Sequence, residues 1–122
     1  MRHIKDNIAD IRHRVGEAAI RSGRKPEDIT IVAVTKNFGV DDINAALQCG
    51  MDIIAENRVQ EMLEKYNYVQ PEQWHMIGHL QTNKVKDVVG KVDLIQSVDS
   101  ERLLREINRQ SRNMGLISNI LL

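Results

Sequence analysis

The chain has 122 residues, a length typical of one domain with one hydrophobic core. Its 17 basic and 17 acidic residues cancel, so no net charge is available to attract nucleic acid or an anionic membrane. Cys49 is the only cysteine, which excludes an internal disulfide and a CxxC motif and favours a reducing compartment. We therefore expect one cytoplasmic domain over residues 1–122 that binds neither nucleic acid nor a membrane.

The first half of the chain predicts a leading helix and two strands. Apolar residues share one face of that helix: Ile4, Ile8, Ile11, Val15 and Ala18. Gly23 and Pro26 mark its end. Residues 29–34 form an apolar run that predicts strand one, and residues 51–55 predict strand two. The helix between them ends at Cys49 and Gly50.

The second half continues the alternation of helices and strands. Val59, Met62, Leu63 and Tyr66 recur at helical spacing, and residues 74–78 predict strand three. We expect Asn83 to cap a short helix and Asp99 to cap a longer one that ends at Gly115. Residues 92–98 predict strand four, and residues 116–122 begin a fifth strand.

A leading helix followed by about five strands that alternate with helices predicts an α/β fold with a parallel sheet. The chain stops at Leu122 inside an apolar run, without a turn signal or a polar tail. We therefore expect a chain or gene interrupted within a larger architecture, namely a partial (truncated) TIM-type (β/α)8 barrel. A complete barrel of this type has about 250 residues.

A polar cluster follows each predicted strand. The clusters contain Thr35-Lys36-Asn37, Glu56-Asn57-Arg58, His79, and Ser97 with Asp99. In a parallel barrel these strand ends face one mouth, so their side chains are positioned to converge on a polar ligand. The alternative is that strand ends are polar simply because they are exposed, and position alone leaves both interpretations open.

Lys36 has the clearest chemical potential of these residues. A lysine at a strand end can be partly desolvated, which favours its neutral amine and suits it to a Schiff base with an aldehyde. The alternative is a solvated loop lysine. Other chemistries have less support: His75 and His79 lack a third ligand at metal spacing, and the chain has neither a nucleophile elbow nor a glycine-rich phosphate loop.

Three ordered motifs resemble the pyridoxal phosphate homeostasis proteins, the YggS and PROSC group. They are AVTKN at residues 33–37, ENRVQE at residues 56–61 and WHMIGHLQTNK at residues 74–84. The resemblance covers the whole chain and implies a barrel of the alanine racemase N-terminal type. It also implies that Lys36 holds pyridoxal 5′-phosphate as a Schiff base, and that Asn57 and His79 lie near the cofactor.

The resemblance implies a non-catalytic protein that stores or delivers the cofactor and influences vitamin B6 and amino-acid balance. Two departures from the family pattern bear on this function. Ala55 stands where the family has glycine. The family also holds the cofactor phosphate with late barrel loops, and a late-strand arginine faces the pyridine nitrogen. Residues 1–122 do not supply these groups, so we expect weak cofactor retention.

Three hypotheses remain open at this point. The first is the cofactor carrier, with pyridoxal phosphate-dependent apoenzymes as possible recipients. The second is a pyridoxal phosphate-dependent racemase or decarboxylase of the same barrel type, for which no second acid/base residue is evident. The third is a remnant that binds nothing. Because an incomplete sheet has open edges, we also expect self-association through residues 116–122.

Overall fold

The computed structural model describes residues 3–122, in which helices and strands alternate. The helices are α1 (Ile4–Arg21), α2 (Val40–Gln48), α3 (Val59–Tyr66), α4 (Val85–Val88) and α5 (Glu101–Met114). The strands are β1 (Ala33–Val34), β2 (Ile53–Glu56), β3 (Gln73–Met76) and β4 (Leu94–Ile95), and two short 3-10 helices occupy Pro26–Asp28 and Thr82–Lys84. The strands form one parallel sheet in the order β1-β2-β3-β4. This arrangement confirms the predicted α/β fold class.

One face of the sheet packs against the helices and forms the hydrophobic core. Ile54 is in register with Trp74, and Met76 is in register with Ile95, so these four side chains share that face. All four are buried. They meet buried residues of the helices and loops: Ile43, Val59, Met62, Val69, Leu80, Val85, Val88, Leu103 and Ile107. The helices therefore cover the sheet on the side away from Ala55 and His75.

The predicted strands one and four are longer than the observed ones. Strand pairing at β1 covers only Ala33 and Val34, because β2 begins at Ile53 and leaves residues 29–31 without a partner strand. Strand β4 covers Leu94 and Ile95 rather than residues 92–98. An apolar run marks a buried segment, but the length of a strand depends on its neighbour.

The predicted fifth strand is a single bridge. Ile95 pairs with Ile120 in parallel, supported by a hydrogen bond from Ile95 N to Asn119 O of 3.0 Å and one from Leu121 N to Ile95 O of 2.9 Å. Residues 116–118 lie outside this pairing because the segment first closes the end of α5, where Leu116 N donates to Ser111 O. The sequence predicts the parallel direction of this fifth segment, but the paired part is much shorter than the predicted residues 116–122.

Two predicted helix caps are wrong. Ser100, rather than Asp99, is the N-cap of α5, and its hydroxyl accepts a hydrogen bond of 3.1 Å from Leu103 N. Asn83 lies inside the 3-10 turn, and Lys84 precedes α4. The predicted ends at Gly50 and Gly115 are confirmed, since both residues adopt the left-handed backbone conformation that follows a helix.

Helix α1 buries less of its predicted apolar face than expected. Ala19 is its one buried residue among those described, whereas Ile11 is 45% exposed. Ile4, Ile8 and Ile11 instead line an open apolar cavity of about 490 Å³ between α1, β1 and α2. Within residues 3–122, no helix combines the length and the apolar character needed to cross a membrane.

Candidate functional site

The carboxyl ends of the four strands lie along one edge of the sheet. Lys36 follows β1, Asn57 follows β2, and His79 follows β3. Because the strands are parallel and adjacent, their carboxyl ends share this edge. Lys36 and His79 are exposed, and Asn57 is half-buried. The structure therefore places all three predicted site residues at the same end of the sheet, beyond the carboxyl ends of the strands.

Gly78 allows the segments after β2 and β3 to touch. A β-carbon built on Gly78 would lie 2.2 Å from the backbone oxygen of Asn57, far inside van der Waals contact. Nearby, Ile77 N donates to Glu56 O at 3.0 Å. Only glycine leaves room for this approach. The contact holds the backbone of Asn57 beside the segment that leads to His79.

The β3–β4 end of the edge is open to solvent. His79 Nδ1 lies 3.6 Å from Asp99 Oδ2, and the two side chains are 70% and 62% exposed. A pair of side chains this exposed contributes little to stability. Among residues 3–122, the buried Ser97 hydroxyl lacks a hydrogen-bond partner, as does Oε1 of the buried Glu56 at the β1–β2 end. The predicted polar cluster after β4 is thus present, but loosely held.

The β1–β2 end contains a buried charged cluster, which we define as Thr35, Glu56, Glu61 and Lys65. Lys65 Nζ donates to Glu56 Oε2 at 2.8 Å, to Glu61 Oε2 at 2.9 Å and to Thr35 O at 2.8 Å. The Thr35 hydroxyl also donates to Glu56 Oε2. The Lys65 side chain is 8% exposed and that of Glu56 is 0% exposed. The cluster therefore joins β1, β2 and α3 through a buried Glu56–Lys65 pair, with Glu61 partly exposed at 19%.

The protonation of the cluster follows from these contacts. Burial opposes the charged form of Lys65, but hydrogen bonds to Glu56 and Glu61 outweigh it and raise the pKa of Lys65. The hydrogen bond from Lys65 lowers the pKa of Glu61, and that from the Asn37 amide lowers it further. Lys65 is consequently an ammonium ion. An ammonium ion donates hydrogen bonds but has no lone pair with which to attack an aldehyde.

Sequence reasoning named Thr35 and Glu56 but missed Lys65 and Glu61. A signal was available, because Glu61 and Lys65 stand four residues apart on α3, a spacing that places two side chains on one helical face. The sequence does not reveal that this pair points inward. That orientation depends on the buried Glu56, which lies on a neighbouring strand.

The side chain of His75 is buried and hydrogen-bonded to two glutamine side chains. Its Nδ1 accepts a hydrogen bond of 2.8 Å from the Gln96 amide nitrogen, and its Nε2 donates to Gln73 Oε1 at 2.9 Å. These roles of the two ring nitrogens follow from the glutamines, because the Gln96 NH2 group can only donate and Gln73 Oε1 can only accept. Burial lowers the pKa of His75, against a smaller opposing effect of Asp93. Within the described residues, no three His, Cys, Asp or Glu side chains are grouped as metal ligands.

The parallel sheet, its covering helices and its polar edge define an α/β protein built from the strand–helix units of a partial (β/α)8 barrel. No protein-family model matches the chain. A pyridoxal phosphate homeostasis protein of Aquifex aeolicus is 34% identical over 119 residues, covering 96% of this chain and 52% of the relative.

Two solved structures share the fold. An unknown protein from Bifidobacterium adolescentis has a TM-score of 0.88 at 30% identity, over 98% of this chain and 54% of its own. PipY of Synechococcus elongatus with PLP bound has a TM-score of 0.71 at 32% identity, over 88% of this chain and 53% of its own. This chain is similar over most of its length to pyridoxal phosphate homeostasis proteins, and it spans about half the length of the curated relatives it matches.

Proposed function

We propose that this chain binds pyridoxal 5′-phosphate as a Schiff base on Lys36 and serves in cofactor homeostasis, influencing vitamin B6 and amino-acid balance. The observation that carries the proposal is the position of Lys36 at the carboxyl edge of the sheet that Asn57 and His79 share, although its side chain is exposed rather than partly desolvated. The names of the relatives and the PLP-bound state of PipY support it.

The residues at this edge fit the chemistry of the cofactor. Bound pyridoxal 5′-phosphate would supply an aldehyde, and the Lys36 side chain would supply the primary amine that condenses with it, with loss of one water and with no need for an oxidant or reductant. The Asn57 amide and the His79 imidazole offer hydrogen bonds to a polar ring beside that bond. We assign cofactor contacts to Asn57 and His79 on this basis, in a single domain over residues 1–122 that is the N-terminal portion of the barrel.

We propose a carrier rather than a catalyst. The names of the relatives specify homeostasis and no reaction. A racemase would require a second acid/base group at the α-carbon of its substrate, and His79 at this edge is paired with the exposed Asp99. Exchange of the α-proton of alanine or serine into deuterated water separates the two functions. Exchange that depends on both the chain and the cofactor would favour the enzyme.

The partners and location proposed for this carrier follow its chemistry. Pyridoxal phosphate-dependent apoenzymes are the recipients that a cofactor store would serve, in a cytoplasmic setting. Self-association is proposed because Ile117 and Leu122 are 91% and 90% exposed beside the bridged edge at Ile120. Light scattering across a concentration series tests this, and a constant monomer mass would contradict it.

An absorbance scan with and without pyridoxal phosphate tests the central proposal. We expect the wild-type chain to develop a Schiff-base band that Lys36→Ala abolishes. Lys86→Ala is the matched control, because Lys86 is an exposed lysine on α4 that lies outside the candidate site. A band that is absent from the wild type, or that persists in Lys36→Ala, would contradict the assignment.

A further inference from the structure

Lys65 is held in a single position by three acceptors. An ammonium group has three N–H donors, and those of Lys65 reach Glu56 Oε2, Glu61 Oε2 and Thr35 O at 2.8–2.9 Å. Its side chain is almost fully buried. With every donor used, the ammonium is fixed in orientation, and any movement would leave a buried charge or carbonyl without a partner.

Two of these acceptors hold the backbone on both sides of Lys36. The carbonyl of Thr35 belongs to the peptide group that joins Thr35 to Lys36, and it accepts directly from Lys65. Glu61 Oε2 accepts from Lys65 and also from the backbone N–H of Asn37. The cluster therefore anchors the residue before Lys36 and the residue after it, while the Lys36 side chain extends into solvent.

Asn37 adopts a special backbone conformation beside this anchor. Its φ of 68° lies in the left-handed region, which asparagine enters more readily than most residues other than glycine. The hydrogen bond from its N–H to Glu61 stabilises that conformation. The Thr35 carbonyl and the Asn37 N–H belong to the two peptide groups that flank the Lys36 α-carbon, so anchoring both sets the direction in which the Lys36 side chain leaves the backbone.

We propose that Lys65 is a positioning residue that, through Thr35 and Glu61, holds the Lys36 backbone in the geometry that presents the Lys36 amine to the cofactor aldehyde. This inference rests on the proposed function. Lys65 acts through its neighbours and does not itself bond to the cofactor, since its amine is charged and fully hydrogen-bonded.

The test compares the 122-residue wild type with Lys65→Met, and Lys86→Met is the exposed control. Each protein is incubated with pyridoxal phosphate and reduced with borohydride, and the rate of adduct formation at Lys36 is followed by peptide mass spectrometry. Amide hydrogen exchange of residues 35–38 without cofactor gives a second readout. Because a misplaced reacting group loses much of its reactivity, we expect Lys65→Met to slow adduct formation at least about tenfold and to speed exchange at Asn37. Lys86→Met should match the wild type.

A second variant keeps the test decisive if Lys65→Met does not fold. Glu61→Ala frees the Asn37 amide but retains the pairing of Lys65 with Glu56, and Glu61 is only partly buried. It should show the same two effects with the fold intact by circular dichroism. Folded variants that form the adduct and exchange at wild-type rates would overturn the positioning role alone. A wild type that forms no adduct at Lys36 would overturn the proposed function, and the positioning role with it.

Discussion

The two ends of the carboxyl edge use similar charged groups in different surroundings. At the β1–β2 end, Glu56 and Lys65 are buried and hydrogen-bonded to each other, and both also bond to Thr35. At the β3–β4 end, His79 and Asp99 are mostly exposed and 3.6 Å apart. Water can take the place of His79 or Asp99 in the exposed pair, but it cannot reach the buried pair of Glu56 and Lys65.

The carboxyl edge therefore has a rigid part at the β1–β2 end and a solvent-accessible part at the β3–β4 end. Removing one member of a buried pair leaves a charge with neither water nor a partner, which is far more costly than losing an exposed pair. The backbone around Lys36 is therefore expected to be firmly held, whereas the His79 side chain is expected to move. A site that must accept and release a ligand needs both properties.

The largest expected effect comes from Glu56→Gln. This change keeps the shape of the side chain but leaves Lys65 with a weaker partner in a buried position. We expect a loss of about 3–5 kcal/mol in the free energy of unfolding, measured by urea denaturation. Glu64→Gln is the control, because Glu64 is an exposed residue of α3, the helix that carries Lys65. If Glu56→Gln and Glu64→Gln were equally stable, the burial of Glu56 would not make the β1–β2 end more sensitive to substitution than an exposed position.

Gly78→Ala tests whether the close approach to Asn57 ties the middle of the edge together. The added methyl group would lie 2.2 Å from the Asn57 oxygen, so the backbone must shift. We expect a loss of about 1–3 kcal/mol, measured by thermal or urea unfolding. Gly39→Ser serves as the control, because a β-carbon there meets no atom within 4 Å and serine suits the N-cap of α2 that Gly39 occupies. If both variants unfold like the wild type, the two segments are not in contact.

Acid should weaken the buried end through Glu61. The folded-state pKa of Glu61 is lowered from 4.5, chiefly by its hydrogen bond with Lys65. Its contribution is therefore complete above the unfolded-state pKa and is lost as the pH falls through the lower folded-state pKa. We expect wild type to exceed Glu61→Gln by about 1–2 kcal/mol at pH 7. Unfolding curves over a pH series should show this gap closing in acid, and a gap that widens would contradict the assignment.

Asp99→Asn should have the smallest effect on stability. The carboxylate lost from the open end is already solvated, so we expect a change of no more than about 0.5–1 kcal/mol in the free energy of unfolding. Raising the salt concentration should shrink even this difference, because salt screens exposed charges. A loss as large as that of Glu56→Gln would mean that the open end is as rigid as the buried one.

The sequence predicted the order of the elements better than their limits. Apolar runs and helical spacing identified every strand and helix, since burial imposes those patterns directly. The ends of β1 and β4 were misjudged, because a strand extends only as far as its neighbour pairs with it. Asp99 was predicted as a cap, whereas the structure uses it beside His79 and gives the cap to Ser100.

The polar residues of the edge were predictable for a similar reason. Strand ends are marked by the end of an apolar run, so the sequence predicts Lys36, Asn57 and His79 at the same end of the sheet. The role of Lys65 was not predictable, since its partners Thr35 and Glu56 lie on other elements. Contacts between distant residues are the part of a site that one sequence does not contain.

Each strand of the sheet pairs with the strand that follows it in the chain. Partners such as Ala33 and Ile54, or His75 and Leu94, are separated by roughly twenty residues, so every step of sheet formation closes a short loop. We expect the sheet to assemble in the order of synthesis, with β1 and β2 pairing while later segments are still emerging. Pulse-labelled hydrogen exchange would show amides of β2 protected before those of β4. In that order, the backbone that carries Lys36 is in place before β4 forms and brings Asp99 beside His79.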